Sequence, residues 1–268
     1  MKTNIEMCKN TVIKEITIKY HIQGVLPKYL DKVIPIILSA IDSGDKKFTF
    51  YIHRNEPIGP TRKGANNFRE DDAEGITYIV KEKQKTNYEI AICNEYVQLV
   101  MNKDPYLPIR SQAALAELIT KKILSEIASA CIGRISIKLH SFCYLKEPVN
   151  VDDVFAHECF NFTNENTKSK GMIFSHEIFE NGPLTFSIKK TFDTGEYKGQ
   201  NVSRGLFEIR VKARNSFDYE SHALKISTEE VVGIVHDVIG MYCSFLSEKV
   251  LTMQMGDSPI CNDDIIII

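Results

Sequence analysis

Hydrophobic and polar positions first alternate near the start of the chain, where Ile16, Ile18, Tyr20 and Ile22 are interleaved with Thr17, Lys19 and His21. That period of two is the signature of a strand with one buried face. After Pro27 the spacing changes: Leu30, Val33, Ile34, Ile37, Leu38 and Ile41 recur every three or four residues, predicting a helix that Asp42, Ser43 and Gly44 stop. Pro35 falls inside this pattern and either kinks the helix or marks its true start. Phe48, Phe50 and Ile52 predict a second strand, and a mostly polar stretch follows over residues 54–75. Two further strands are expected at residues 76–80 and 88–92, with 96–101 continuing the second or folding back beside it. Leu115, Leu118, Ile119, Ile123, Leu124, Ile127 and Cys131 then predict a longer helix that Gly133 closes.

The second half follows a similar order. Ile135, Ile137, Leu139, Cys143 and Leu145 form a strand, and a short helical piece is expected over residues 151–159. Three strands follow at 174–178, 184–188 and 207–213, separated by Asn181, Gly182 and Pro183 and by a loop over 194–205. Ser227 with Glu230 has the capping-box spacing, in which an N-cap hydroxyl and a carboxylate three residues on satisfy each other's backbone amides. Behind it, Val231, Ile234, Val235, Val238, Tyr242, Phe245, Leu246, Val250 and Met253 predict a helix reaching residue 255. The expected class is α+β: antiparallel sheets with long packed helices, and a pseudo-repeat of strand, helix, three strands, helix. The halves are drawn at residues 1–133 and 134–256, with a tail over 257–268. Strands do not alternate strictly with helices, which disfavours a doubly wound nucleotide fold.

Composition adds boundaries to this picture. The 268 residues carry 33 Lys plus Arg against 35 Asp plus Glu, a net charge of -2, so neither a generally basic coat nor an acidic disordered chain is expected. No apolar run is long enough to cross a bilayer, and the first residues lack the apolar core of a secretory signal. A soluble, cytoplasmic protein without membrane contact is expected. The seven cysteines, at 8, 93, 131, 143, 159, 243 and 261, include no C-x-x-C pair and fit a reducing compartment. Cys131, on the long helix, and Cys143, on a strand, read as small core residues.

Candidate catalytic chemistry is sparse. His157-Glu158 and His176-Glu177 each begin a zinc-helix motif, but neither has the second histidine four residues after the first. His236 and Asp237 are adjacent on a helix and point about 100° apart, so they cannot pair as base and orienting carboxylate. No Gly-Lys-Ser/Thr occurs, which excludes a phosphate loop. No catalytic residue, metal ligand or cofactor is expected.

Charge patterning is more informative. If Phe207, Ile209, Val211 and Ala213 point inward, then Glu208, Arg210, Lys212 and Arg214 point outward. The same alternation sends Arg134, Ser136, Lys138 and His140 outward, together with Thr185, Ser187 and Lys189. One sheet face then holds Arg134, Lys138, Lys189, Arg210, Lys212 and Arg214 against Glu208. It is either a site for nucleic acid or an acidic partner, or an ordinary solvated face. Arg62 and Lys63, in the polar stretch, are a second candidate grip on an anion, opposed there by Glu70, Asp71 and Asp72. At the end of the chain, Ile265, Ile266, Ile267 and Ile268 form an apolar run suited to adding a strand to an exposed sheet edge. Its own chain, another copy or a partner could offer that edge.

The helix bearing Val235, His236, Asp237, Ile239, Phe245, Leu246, Lys249, Met255 and Gly256 resembles the ending of an uncharacterised, sporadically distributed prokaryotic family of similar length. The run from Arg134 through Ser141 and Phe142, followed by Pro148, Val149, Asn150, Val151, Asp152, Asp153, Val154 and Phe155, resembles that family's central strand and the acidic turn behind it. The chain departs from the family's Arg-Tyr-Ile-Asn-like central run, carrying Lys138, Leu139, His140 and Ser141 instead. The resemblance implies no known activity; its patchy occurrence implies an accessory, defence or antitoxin-like role.

These readings converge on a non-enzymatic binding or regulatory protein acting through protein or nucleic-acid contacts, with a protein partner or homo-oligomer expected. Two alternatives stay open. One is an enzyme or small-molecule sensor with a site between the halves, drawing on His140, His157 or the 54–75 stretch; the other is a self-assembling structural protein joined through its isoleucine end.

Overall fold

A computed structural model describes residues 13–42, 48–54, 76–82, 88–102, 109–146, 155–156, 173–181, 184–197, 200–214, 227–248 and 265–266. The alternating apolar positions near the start form β1 (Ile13–Gln23), and α1 (Pro27–Ile41) follows it. Pro27 sits at the opening of α1, where its missing N–H breaks no helical bond. Pro35 lies within the helix without ending it. It occupies the exposed side, so the carbonyl that loses its helical partner is on the solvated face rather than against the core. Leu30, Val33, Ile34, Ile37 and Ile41 form the buried stripe.

Four strands then run in succession: β2 (Phe48–Arg54), β3 (Ile76–Glu82), β4 (Tyr88–Ile92) and β5 (Tyr96–Asn102). Residues 96–101 therefore fold back antiparallel to β4. The first half has four strands behind α1, one more than the strand, helix, three-strand order allowed. Next comes α2 (Ile109–Glu126), which ends earlier than its apolar pattern predicts. Cys131 is the first residue of the next strand, β6 (Cys131–Lys146), and is not helical. Gly133 lies inside that strand instead of capping a helix. Among the described glycines, Gly24 has a left-handed conformation, with φ 77°, and an added Cβ there would meet the Ser129 carbonyl oxygen at 1.9 Å. The Ser129 hydroxyl also donates to the Gly24 carbonyl at 2.7 Å, tying the exit from β1 to the turn before β6.

The second half continues with β7 (Ile173–Asn181), β8 (Leu184–Tyr197) and β9 (Gln200–Arg214). The expected loop over 194–205 belongs mostly to these last two strands, whose pairing runs out to Tyr197 opposite Gln200. Asp193, Thr194, Glu196, Asn201 and Ser203 are polar, so no apolar alternation announces a strand in the sequence there. A helix, α3 (Thr228–Ser244), starts as its capping box requires: the Glu230 amide donates to the Ser227 hydroxyl and the Ser227 amide to the Glu230 carboxylate. It stops at Ser244, short of residue 255, and Leu246 instead makes a bridge to Phe155. Of the helical piece expected at 151–159, only residues 155 and 156 are described. A final short strand, β10, comprises Ile265–Ile266.

All these strands join one ten-stranded antiparallel sheet in the order β2-β3-β4-β5-β1-β6-β9-β8-β7, with β10 set against β6. The protein is α+β, and its two halves meet where β1 pairs with β6. That boundary strand starts at Cys131, so it spans the 133/134 division drawn from the sequence.

Alternate strand residues face a single core. Ile18, Tyr20 and Ile22 of β1, Ile90 and Ile92 of β4, Val97 and Leu99 of β5, Ile135, Ile137 and Leu139 of β6, and Phe186 and Ile188 of β8 cluster with buried residues of α1, α2 and α3. The three helices thus cover one side of the sheet, α2 packing between α1 and α3. Tyr78 of β3 fastens α1 to the sheet by donating to the Asp31 carboxylate at 2.6 Å. Burial, and then that carboxylate, push the Tyr78 phenol up to about 12.

The seam between β1 and β6 contains two irregularities. Ile22 pairs with Ile132 and His21 with Arg134, so Gly133 is an extra residue on β6; at the other end, Ile13 pairs with Ser141 and Glu15 with His140, so Lys14 is extra on β1. The first bulge lets Ile132 and Ile135 both be buried while Arg134 sits on the opposite face.

Candidate functional site

The sheet face away from the core takes the other half of each alternation. On β1 it holds Glu15, Thr17, Lys19 and His21; on β6, Arg134, Ser136, Lys138 and His140; on β8, Thr185, Ser187 and Lys189. These side chains are part-exposed, apart from Thr17, which is buried.

Register brings the expected cations together in rows. Arg134 lies opposite Arg214 and Lys138 opposite Arg210, while Lys212 sits between Ser136 and Thr185. Glu208 lies between His140 and Lys189. Neighbouring strands are about 4.8 Å apart and same-face residues along a strand about 6.6 Å, so the six positions fall in one compact patch across β6, β9 and β8. Direct opposition of like charges weakens a sheet. This face contains two such oppositions, Arg134 with Arg214 and Lys138 with Arg210.

Pairing β1 with β6 enlarges the patch beyond the sequence expectation. Lys19 lies opposite Ser136, and His21 opposite Arg134, with the His21 Nε2 3.0 Å from the Ser136 hydroxyl. The Lys19 ammonium stands 3.9 Å from the centre of the Tyr96 ring, a cation–π contact at the border with β5. Toward the first-half edge the face changes character: Val100, Ala91 and Ile79 share it with the Lys81–Glu89 ion pair at 2.8 Å. The cationic zone is therefore centred on the seam and the second half. At the opposite edge, β7 presents exposed Phe174 and Ile178.

Other expected site residues lie elsewhere. Arg62 and Lys63 fall outside the described residues, as do His157, Ile267 and Ile268. Ile265 and Ile266 pair with Leu145 and Tyr144 of β6, on the strand's side beyond the last β1 pair at Ser141. His176 and Glu177 are neighbours on the extended strand β7, so they point to opposite faces, and His236 and Asp237 are exposed on α3. Among the described residues, no three or more His, Cys, Asp or Glu converge in a way that could hold a metal ion. No described helix is long and apolar enough to cross a membrane.

On the helix side, three features escaped the sequence reading. Lys190 of β8 is 2% exposed and donates to Glu177 at 2.6 Å, with the Phe245 ring centre 4.8 Å away. The hydrogen bond from Lys190 holds the Glu177 carboxyl below the usual carboxylate range. The Tyr20 hydroxyl is buried and, among the described residues, has no hydrogen-bond partner; burial, and then the Glu117 charge, push its phenol up. A cavity of about 620 Å³ opens between α2 and α3, bordered by Arg110, Glu117, Lys121, Ser227, Thr228 and Glu229. It lies between the two halves, and among the described residues that line it His140 does not appear.

No known family's sequence profile matches the chain, and no curated protein matches it.

Proposed function

We propose that the chain is a non-catalytic binding and regulatory protein that holds a polyanionic partner, a nucleic-acid backbone, on the polar face of its sheet. The observation that carries this reading is the register that sets Arg134 opposite Arg214 and Lys138 opposite Arg210 across β6 and β9. A face serving only solubility gains from mixed signs across strands, whereas opposed cations destabilise the ladder that bears them. An anion lying over such a pair is attracted by both cations. Cations at alternate positions of β9 and β6 follow the strand direction in steps of about 6.6 Å, a regular charge array suited to a repeating phosphate backbone. Lys19 and the Tyr96 ring extend the array across the seam.

The test is binding of short labelled single-stranded and duplex nucleic acids, followed by fluorescence anisotropy over a series of salt concentrations. Affinity is expected to fall steeply with salt, and Lys138→Gln and Arg210→Gln are each expected to lower the salt slope by about one. Binding independent of salt, or unchanged in both variants, overturns the reading.

A further inference from the structure

The cavity between α2 and α3 has a volume of about 620 Å³, within the range occupied by small-molecule sites. Two ion pairs stand in its wall. Arg110 bonds Glu229 at 2.9 Å, and Lys121 bonds Glu117 one turn earlier on α2. Three of these four side chains are largely exposed: Arg110 at 71%, Glu229 at 62% and Lys121 at 58%. The Glu117 side chain is 9% exposed. Burying a carboxylate is costly, and its neighbours Ala113 and Ala116 show that α2 fills this side with small apolar groups where only packing is needed. Glu117 is thus a nearly desolvated anion in the wall of an accessible cavity, with an exposed guanidinium on the same helix two turns away. Two turns separate the poles by about 10 Å along the axis.

We propose that this cavity binds a small zwitterion with its ammonium and carboxylate at opposite ends, of the ω-amino acid or short-peptide class. The ligand ammonium takes the place of Lys121 on Glu117, and its carboxylate takes the place of Glu229 on Arg110. Exposed ion pairs contribute little, so both protein partners are exchanged at small cost. The charge-assisted contact to buried Glu117 is the stronger of the two. A compact α-amino acid cannot bridge two helical turns, so length as well as charge selects the ligand.

Isothermal titration of the full chain with 6-aminohexanoate and glycylglycine tests the assignment, with hexylamine and hexanoate as single-charge controls. Saturable binding is expected for at least one zwitterion, about tenfold or more weaker for both controls and for Arg110→Gln and Glu117→Gln. Arg110 is exposed, so its variant remains informative if Glu117→Gln does not fold. No saturable heat up to about 10 mM, equal binding of hexylamine, or unchanged binding in Arg110→Gln overturns the proposal. The site is on the helix-covered side, so this outcome is read independently of the polyanion titration on the opposite face.

Discussion

Lys190 shows how much a single side chain can depend on a neighbour half in water. Its ammonium is 2% exposed, and Glu177, the carboxylate it bonds, lies on the edge strand with half its side chain exposed. Glu177 has a folded pKa below its ordinary value, so the pair contributes stability above the usual carboxylate range. That contribution is lost as pH falls through the depressed value. Acid unfolding of the wild type is therefore expected to steepen below about pH 4.5, with Glu177→Gln removing part of that slope. At neutral pH the variant should be less stable by about 1–2 kcal/mol, a figure reduced for the exposure of Glu177. Parallel acid titrations followed by circular dichroism check both, and superimposable curves would remove the pair from the account. The burial of Lys190 was legible in the sequence, but its partner on β7 was not. Lys189 and Lys190 are adjacent, and only the frame of β8 decides which of them is buried; the alternation of Leu184, Phe186 and Ile188 already implied that Lys190 shared the inward face.

Elements were most legible where a local rule and a periodic pattern agreed. Ser227 and Glu230 announce α3, and both reciprocal bonds are present. Ser227→Ala is expected to cost about 1 kcal/mol, measured as a fall in denaturant midpoint at unchanged slope. A cost near zero would mean that packing alone sets the start of the helix. Where apolar spacing stood without a cap, the reading overran. Ile127 and Cys131 extend the α2 pattern in sequence, yet the chain turns after Glu126 because Ala130 and Ile132 are needed against the core in another direction. Leu246 was likewise taken into α3, whereas it leaves the helix to bridge Phe155, a contact between segments far apart in sequence. The cationic positions on β6, β8 and β9 followed from alternation alone. Lys19 did not join them on paper, because nothing local states that β1 and β6 are neighbours.

At the scale of the whole molecule, the central fact is that the halves share a sheet. β1 lies between β5 and β6, so it is hydrogen-bonded to both halves at once. Equilibrium unfolding is therefore expected to be a single transition. Far-ultraviolet circular dichroism and tyrosine fluorescence, the usable intrinsic probe in a chain with no tryptophan, should give coincident curves. Two resolved transitions would show that the halves unfold separately. The α+β class follows from the patterns in the sequence, but the order of strands does not, since it is set by pairings between distant segments. The two bulges of the seam carry a further meaning. Lys14 and Gly133 sit near opposite ends of the β1–β6 ladder, one on each strand. Sliding one strand past the other by a pleat repeat would keep the apolar faces matched in a uniform ladder. Here it would also displace both extra residues from their places, so the two act as indexing pins: among all the alignments that hydrophobicity alone tolerates, they single out the one that sets Arg134 beside His21.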